Sequence, residues 1–114
     1  MLFRSTNYTI ITTDNPDQNI NVYAHWDGEQ SEEILAEALK AAEPRWDDMS
    51  YCVRIIIDQL TKNGRDEETG YGIYIGSEIT HEEQYETKEV NLINKTVSIG
   101  NQTYDMKLWL GALV

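Results

Sequence analysis

Two segments with the 3.6-residue apolar period of a helix stand back to back in this chain. Pro44 divides them, and β-branched, alternating stretches flank them on both sides. In residues 31–43, Ile34, Leu35, Ala38, Leu39 and Ala42 make one apolar stripe, with Glu33, Glu37 and Lys40 outside it. Ser31 is expected at the N-cap, Glu32 and Glu33 sit where the helix dipole favours anions, and Pro44 ends the segment. Residues 47–63 carry Met49, Cys52, Val53, Ile56, Ile57 and Leu60 on a second stripe, widened by Ile55. Asp47 or Asp48 is expected to cap this helix, and Asn63-Gly64 reads as its C-terminal stop. Arg54, Asp58 and Lys62 recur at intervals of four, which predicts two ion pairs on the exposed side. Two one-faced helices need an apolar layer to lie on.

The flanking segments supply that layer. Residues 8–13 are β-branched, Asp14-Asn15-Pro16-Asp17 is turn chemistry, and residues 19–25 alternate, with Ile20, Val22 and Ala24 on one face. These predict a hairpin. Residues 71–75 alternate with Gly72, Tyr74 and Gly76 on one side, where glycines admit a close approach by backbone or ligand. Residues 77–87 are acidic and polar and read as a loop. Residues 88–93, 95–99 and 102–106 read as a three-stranded meander, turning at Asn94-Lys95 and Gly100-Asn101. Leu108, Trp109, Leu110, Leu113 and Val114 form an apolar tail that seals the core or enters a subunit interface. The expected fold is one α+β domain over residues 1–114. It has about six short strands in an antiparallel sheet, order ββααββββ, with two helices on one face. Strand edges and the apolar tail make a homodimer or higher oligomer the expected state.

Composition narrows the partners. The formal charge is −11, with a pI near 4.4. A solvated surface of that sign repels a nucleic-acid backbone, so direct nucleic-acid binding is not expected. A basic protein surface, or a small ligand in a pocket whose local charge differs from the global one, remains compatible, as does simple solubility. No apolar run approaches the roughly 18 residues of a membrane span. Residues 1–6 lack the apolar core of a signal peptide, and the single cysteine has no internal partner. A cytoplasmic setting is therefore expected.

The chemistry-bearing residues are sparse. Cys52 lies on an apolar helix face with no histidine near it in sequence, as a buried structural thiol does, and a nucleophile would need a base in reach. His25, Asp27, His81, Glu82 and Glu83 could in principle ligate a metal. His81-Glu82-Glu83-Gln84-Tyr85 departs from the zinc motif, because Tyr85 replaces its second histidine. A solvated acidic loop accounts for the last three, and no metal or cofactor is expected. No serine stands in a nucleophile elbow, and Gly70-Tyr71-Gly72 leads into a strand, not a helix, so no enzyme activity is expected. The remaining set is Tyr23, His25, Trp26, Arg45, Trp46, Tyr51, Arg54, Gly70, Tyr71 and Gly72. Aromatic faces stack on a base, arginine holds a phosphate bidentately, and glycines expose backbone N–H groups. Against this stands the ordinary role of large aromatics as core anchors, with Arg45 paired to a neighbouring acid.

Four of these segments, His25-Trp26-Asp27-Gly28, Arg45-Trp46-Asp47-Asp48, Arg54-Ile55-Ile56 and Thr69-Gly70-Tyr71-Gly72-Ile73, occur in that order. In this the chain resembles a family of small tailed-bacteriophage proteins carrying His-Trp-Gly/Asp-Gly, Arg-Trp-x-Asp, Arg-Ile-Ile and Thr-Gly-Tyr-Gly-Ile motifs. The likeness covers roughly positions 20 to 76 and, more loosely, the meander. Asp27 stands where glycine is commoner. The resemblance implies a phage accessory protein directed against host defence, by analogy and not by physics. The leading expectation is sequestration of a nucleotide-derived signalling molecule by Tyr23, His25, Trp26, Arg45, Trp46, Arg54, Gly70, Tyr71 and Gly72. The alternative is an acidic inhibitor, with DNA-like charge, docking on a basic host protein through Glu32, Glu33, Glu37, Glu82 and Glu83.

Overall fold

A computed structural model of the chain describes residues 7–14, 16–24, 31–76 and 86–113. Strands β1 (Asn7–Thr12) and β2 (Ile20–Ala24) form the expected hairpin around a single 3-10 turn at Pro16–Gln18. Helices α1 (Ser31–Ala42) and α2 (Met49–Thr61) follow, then β3 (Tyr71–Ile75), β4 (Glu86–Asn91), β5 (Thr96–Ile99), β6 (Gln102–Asp105) and α3 (Met106–Leu113). The six strands make one sheet in the order β3-β2-β1-β4-β5-β6.

The fold is α+β with element order ββααββββ, and a short third helix closes the described chain. The sheet is mixed where an antiparallel one was expected. β1 pairs with β4 in parallel, from Asn7 opposite Glu86 to Thr12 opposite Asn91, and every other pairing is antiparallel. The inward positions of β4, Lys88 and Val90, are the same whichever way the strand runs. Alternation therefore marks which face is buried and is silent on direction.

The helices cover one face of the sheet. Ile11, Val22, Val90, Leu92 and Val97 meet Ile34, Leu35, Ala38, Leu39 and Ala42 of α1 and Cys52, Ile56 and Leu60 of α2 in a single cluster. The apolar tail joins this core as α3, through Met106, Trp109 and Leu110.

Local details depart from expectation at the helix ends. Ser31 is the first helical residue and is buried. Asp48 is the N-cap of α2 in extended conformation, and its backbone oxygen accepts from Cys52 N at 2.9 Å, but its side chain makes no cap bond. α2 runs into a 3-10 turn, Lys62–Gly64. Gly64 is not in the left-handed region; among the described glycines only Gly70 (φ 97°) and Gly100 (φ 62°) are. The ion pairs foreseen within α2 form elsewhere: Asp58 takes Arg65 at 2.7 Å, and Lys62 reaches Glu37 of α1 at 3.0 Å.

Candidate functional site

One end of the sheet gathers four of the nine residues expected at a ligand site. Tyr71 opens β3 opposite Ala24, the last residue of β2, and Gly72 stands opposite Tyr23. Gly64 and Gly72 in this region are seats for tyrosine rings. A Cβ on Gly64 would clash with the edge of the Tyr71 ring, and one on Gly72 with the edge of the Tyr23 ring. The space that these glycines open is thus filled by the protein's own aromatics. Gly70 supplies the positive φ at which the chain enters β3. His25 and Trp26, which follow Ala24 in the chain, lie outside the described residues, as do Asp27, His81, Glu82 and Glu83.

Lys88 sits in this same region and was not foreseen. It is 0% exposed, at an inward position of β4 beside Thr9, and its Nζ donates to Ser31 Oγ at 2.6 Å. A buried ammonium is costly unless it is hydrogen-bonded, so Ser31 holds it rather than only starting the helix. The sequence signal was present: Lys88 shares a face with Val90 and Leu92 in the period-2 pattern.

Arg45 and Trp46 are at the other end of the molecule. They follow the C-terminus of α1, whose first turn is the one that meets Lys88, and Asp47 next to them pairs with Lys95 beyond the far end of β4 at 3.3 Å. The Trp46 ring packs against the core, and its Nε1 donates to the Leu39 carbonyl at 3.0 Å, in the last turn of α1, where carbonyls lack helical partners. The Arg45 guanidinium lies 5.5 Å from the centre of the exposed Tyr51 ring, a cation–π contact. Arg54 is exposed on α2. Arg45 and Trp46 therefore do not meet Tyr23, Gly70, Tyr71 and Gly72 in one cavity.

The end of the helix layer near Tyr71 is acidic. Glu32, Glu33 and Glu37 on α1, and Asp66, Glu67 and Glu68 just after α2, are all exposed there. The Lys62–Glu37 bridge ties the two segments together. The basic residues do not offset this surface. Among the described residues, Lys40 and Lys107 pair with Glu43, Lys62 with Glu37, Arg65 with Asp58, and Lys95 with Asp47. Lys88 is buried and Arg45 lies over Tyr51. Hydrogen bonds from Lys107 and Lys40 hold the Glu43 carboxyl below the usual carboxylate range, and Glu43 in turn raises Lys107.

Cys52 is fully buried, and burial pushes its thiol above the ordinary value. A thiol in that state is protonated near neutral pH and a poor nucleophile. Among the described residues no three of His, Cys, Asp and Glu gather into a group able to hold a metal ion. Likewise, no helix among them is long and apolar enough to cross a membrane. Comparison with known proteins finds no family model that matches the chain, and no similar curated protein or solved structure.

Proposed function

We propose that this is a non-catalytic binding protein that docks on a basic protein surface through the acidic end of its helix layer. On the phage resemblance, the partner is a host defence protein. The observation that carries this reading is the distribution of charge. Two segments distant in sequence, residues 32–37 and 66–68, present exposed carboxylates at one end, while Lys40, Lys62, Arg65, Lys95 and Lys107 are engaged in ion pairs with acids. A surface of this kind steers association with a basic partner and makes it salt-sensitive.

Sequestration of a nucleotide-derived signal is the second reading. Tyr23, Gly70, Tyr71 and Gly72 lie together at one end of the sheet, which supports it. The separation of Arg45 and Trp46 from that group, and the use of the Trp46 N–H by Leu39, favour the first reading.

Immobilised protein challenged with a host lysate separates them. Under the docking reading it retains basic proteins at low ionic strength. It releases them as salt shortens the Debye length from ~10 Å at 0.1 M toward ~3 Å at 1 M, and the triple variant Glu32→Lys, Glu33→Lys, Glu67→Lys retains none. Calorimetry with cyclic and linear nucleotides should give no heat. A nucleotide bound with micromolar affinity, and lost in Tyr71→Ala, would transfer the function to the second reading.

A further inference from the structure

β3 takes the end place in the sheet, paired to β2 from Tyr71 opposite Ala24 to Ile75 opposite Ile20. Its attachment differs in kind from that of the other strands. β1, β2, β4 and β5 send Ile11, Val22, Val90 and Val97 into the core, whereas among the described residues no core side chain comes from β3. Tyr71, Ile73 and Ile75 share the helix-side face with Ala24, Val22 and Ile20. Yet Ile73 is 50% exposed and Ile75 67%, so the strand gains little from the apolar burial that holds the rest of the sheet. β6 also lies outside the core, but it runs straight into α3, whose Met106, Trp109 and Leu110 anchor it there.

Hydrogen bonds hold β3 instead, and one side chain reinforces the ladder. Asn21 stands on β2 opposite Tyr74, on the face away from the helices, and is 0% exposed. Its Nδ2 donates to Tyr74 O at 3.3 Å and to Gly76 O at 3.2 Å, so a single amide grips two alternate carbonyls at the end of the strand. Gly76 N donates in turn to Asn19 O at 3.0 Å. A buried amide is costly where its polar atoms lack partners. Asn21 Nδ2 finds its partners in β3, while its Oδ1 has none among the described residues. The side chain therefore adds little to the stability of the whole fold, and what it does add is spent on attaching β3.

We propose that β3 is a strap that opens while the rest of the fold stays closed, and that the Asn21 amide is its latch. This inference rests on neither reading of function above. A segment with few buried apolar contacts opens sub-globally, at a frequency set by its own hydrogen bonds and not by the core. Opening parts Gly72 from the Tyr23 ring and Tyr71 from its seat on Gly64. It also releases the backbone groups of β2 that face the strap. The Gly76–Asn19 bond fixes which these are, because alternate residues of a strand face the same neighbour: Asn19, Asn21 and Tyr23. The closed state is thus the one in which both tyrosine rings are seated and the Asn21 amide is paired.

Amide hydrogen exchange of the full chain, read residue by residue by NMR in urea below the unfolding transition, tests this. In the wild type the amides of Gly72, Tyr74 and Gly76, which face β2, should exchange together and about ten-fold or more faster than those of β1 and β4. Their rates should barely respond to urea, because local opening exposes little surface. Asn21→Val keeps a good strand former in β2 and removes the latch. It should speed those three amides about ten-fold further, while the urea midpoint of global unfolding stays level or rises. Asn21→Ser, too short to reach both carbonyls, should do the same to the three amides, and it decides the matter if Asn21→Val fails to fold. Strap amides that exchange only with global unfolding in the wild type would overturn the proposal. So would latch variants whose strap amides keep the wild-type rate, or whose loss of protection extends equally to β1 and β4.

Discussion

In the sequence Gly72 looks like a place where backbone or a ligand approaches closely and Gly64 like the stop of a helix, and in the structure each is a place where a tyrosine ring sits. Each lacks a Cβ because a ring of the same chain fills its position, Tyr71 for Gly64 and Tyr23 for Gly72. Gly64→Ala must displace the Tyr71 ring, and we expect it to lower stability by about 1–3 kcal/mol, the usual cost of overpacking. In Tyr71→Ala the same glycine substitution should be nearly neutral, so a double-mutant cycle in urea should show strong coupling. Cys52 makes the opposite point, since its place in the apolar stripe reads correctly from sequence. Its buried, protonated thiol should be labelled by a thiol reagent at pH 8 only as fast as the protein opens, and the rate should climb with denaturant. Fast labelling of the native protein would contradict the buried assignment.

At the scale of elements, the link between α1 and α2 is a junction rather than a loop. Trp46 closes the end of α1 through Leu39, Asp48 O receives the first bond of α2, and Glu43 draws in Lys40 and Lys107. Lys107 belongs to α3, so Glu43 pins the last helix to the helix pair. The direction of its pH dependence follows from the lowered Glu43 value. A carboxyl whose folded pKa is depressed contributes stability above its unfolded pKa and loses it as pH falls through the folded one. Wild type should therefore melt above Glu43→Gln at neutral pH, and the gap should close on acidification below the folded Glu43 value. A gap that is independent of pH would assign the effect to packing instead.

For the whole molecule, a single core does most of the stabilising, and the surface sets the partners. Ile56 is fully buried between the helices and the sheet. Ile56→Ala should cost about 2–5 kcal/mol in chemical denaturation, whereas a loss under ~1 kcal/mol would mean that the site collapses around the missing atoms. The surface ion pairs contribute little to that balance individually, ~0–1 kcal/mol each. Their larger consequence is to engage the basic side chains and leave carboxylates in excess. Acidic docking should therefore weaken as salt rises, and a salt titration of partner retention reads that dependence.

The sequence by itself determined the elements and their buried faces. Apolar periodicity places α1, α2 and each strand to within a few residues, because the stripe of a helix and the alternation of a strand are local properties of spacing. Pro44 marks the break between the helices, and Gly100 the tight turn between β5 and β6, for equally local reasons. What only the tertiary structure decided is which elements become neighbours. The parallel pairing of β1 with β4, the burial of Lys88 against Ser31 and the seating of Tyr71 on Gly64 join residues far apart in the chain. The tertiary structure also decided the separation of Arg45 and Trp46, at the turn between the two helices, from Tyr71, which follows them. An antiparallel helix pair returns the chain to the end where it began, so residues on either side of the pair meet, while those at its turn are carried one helix length away, ~1.5 Å per residue.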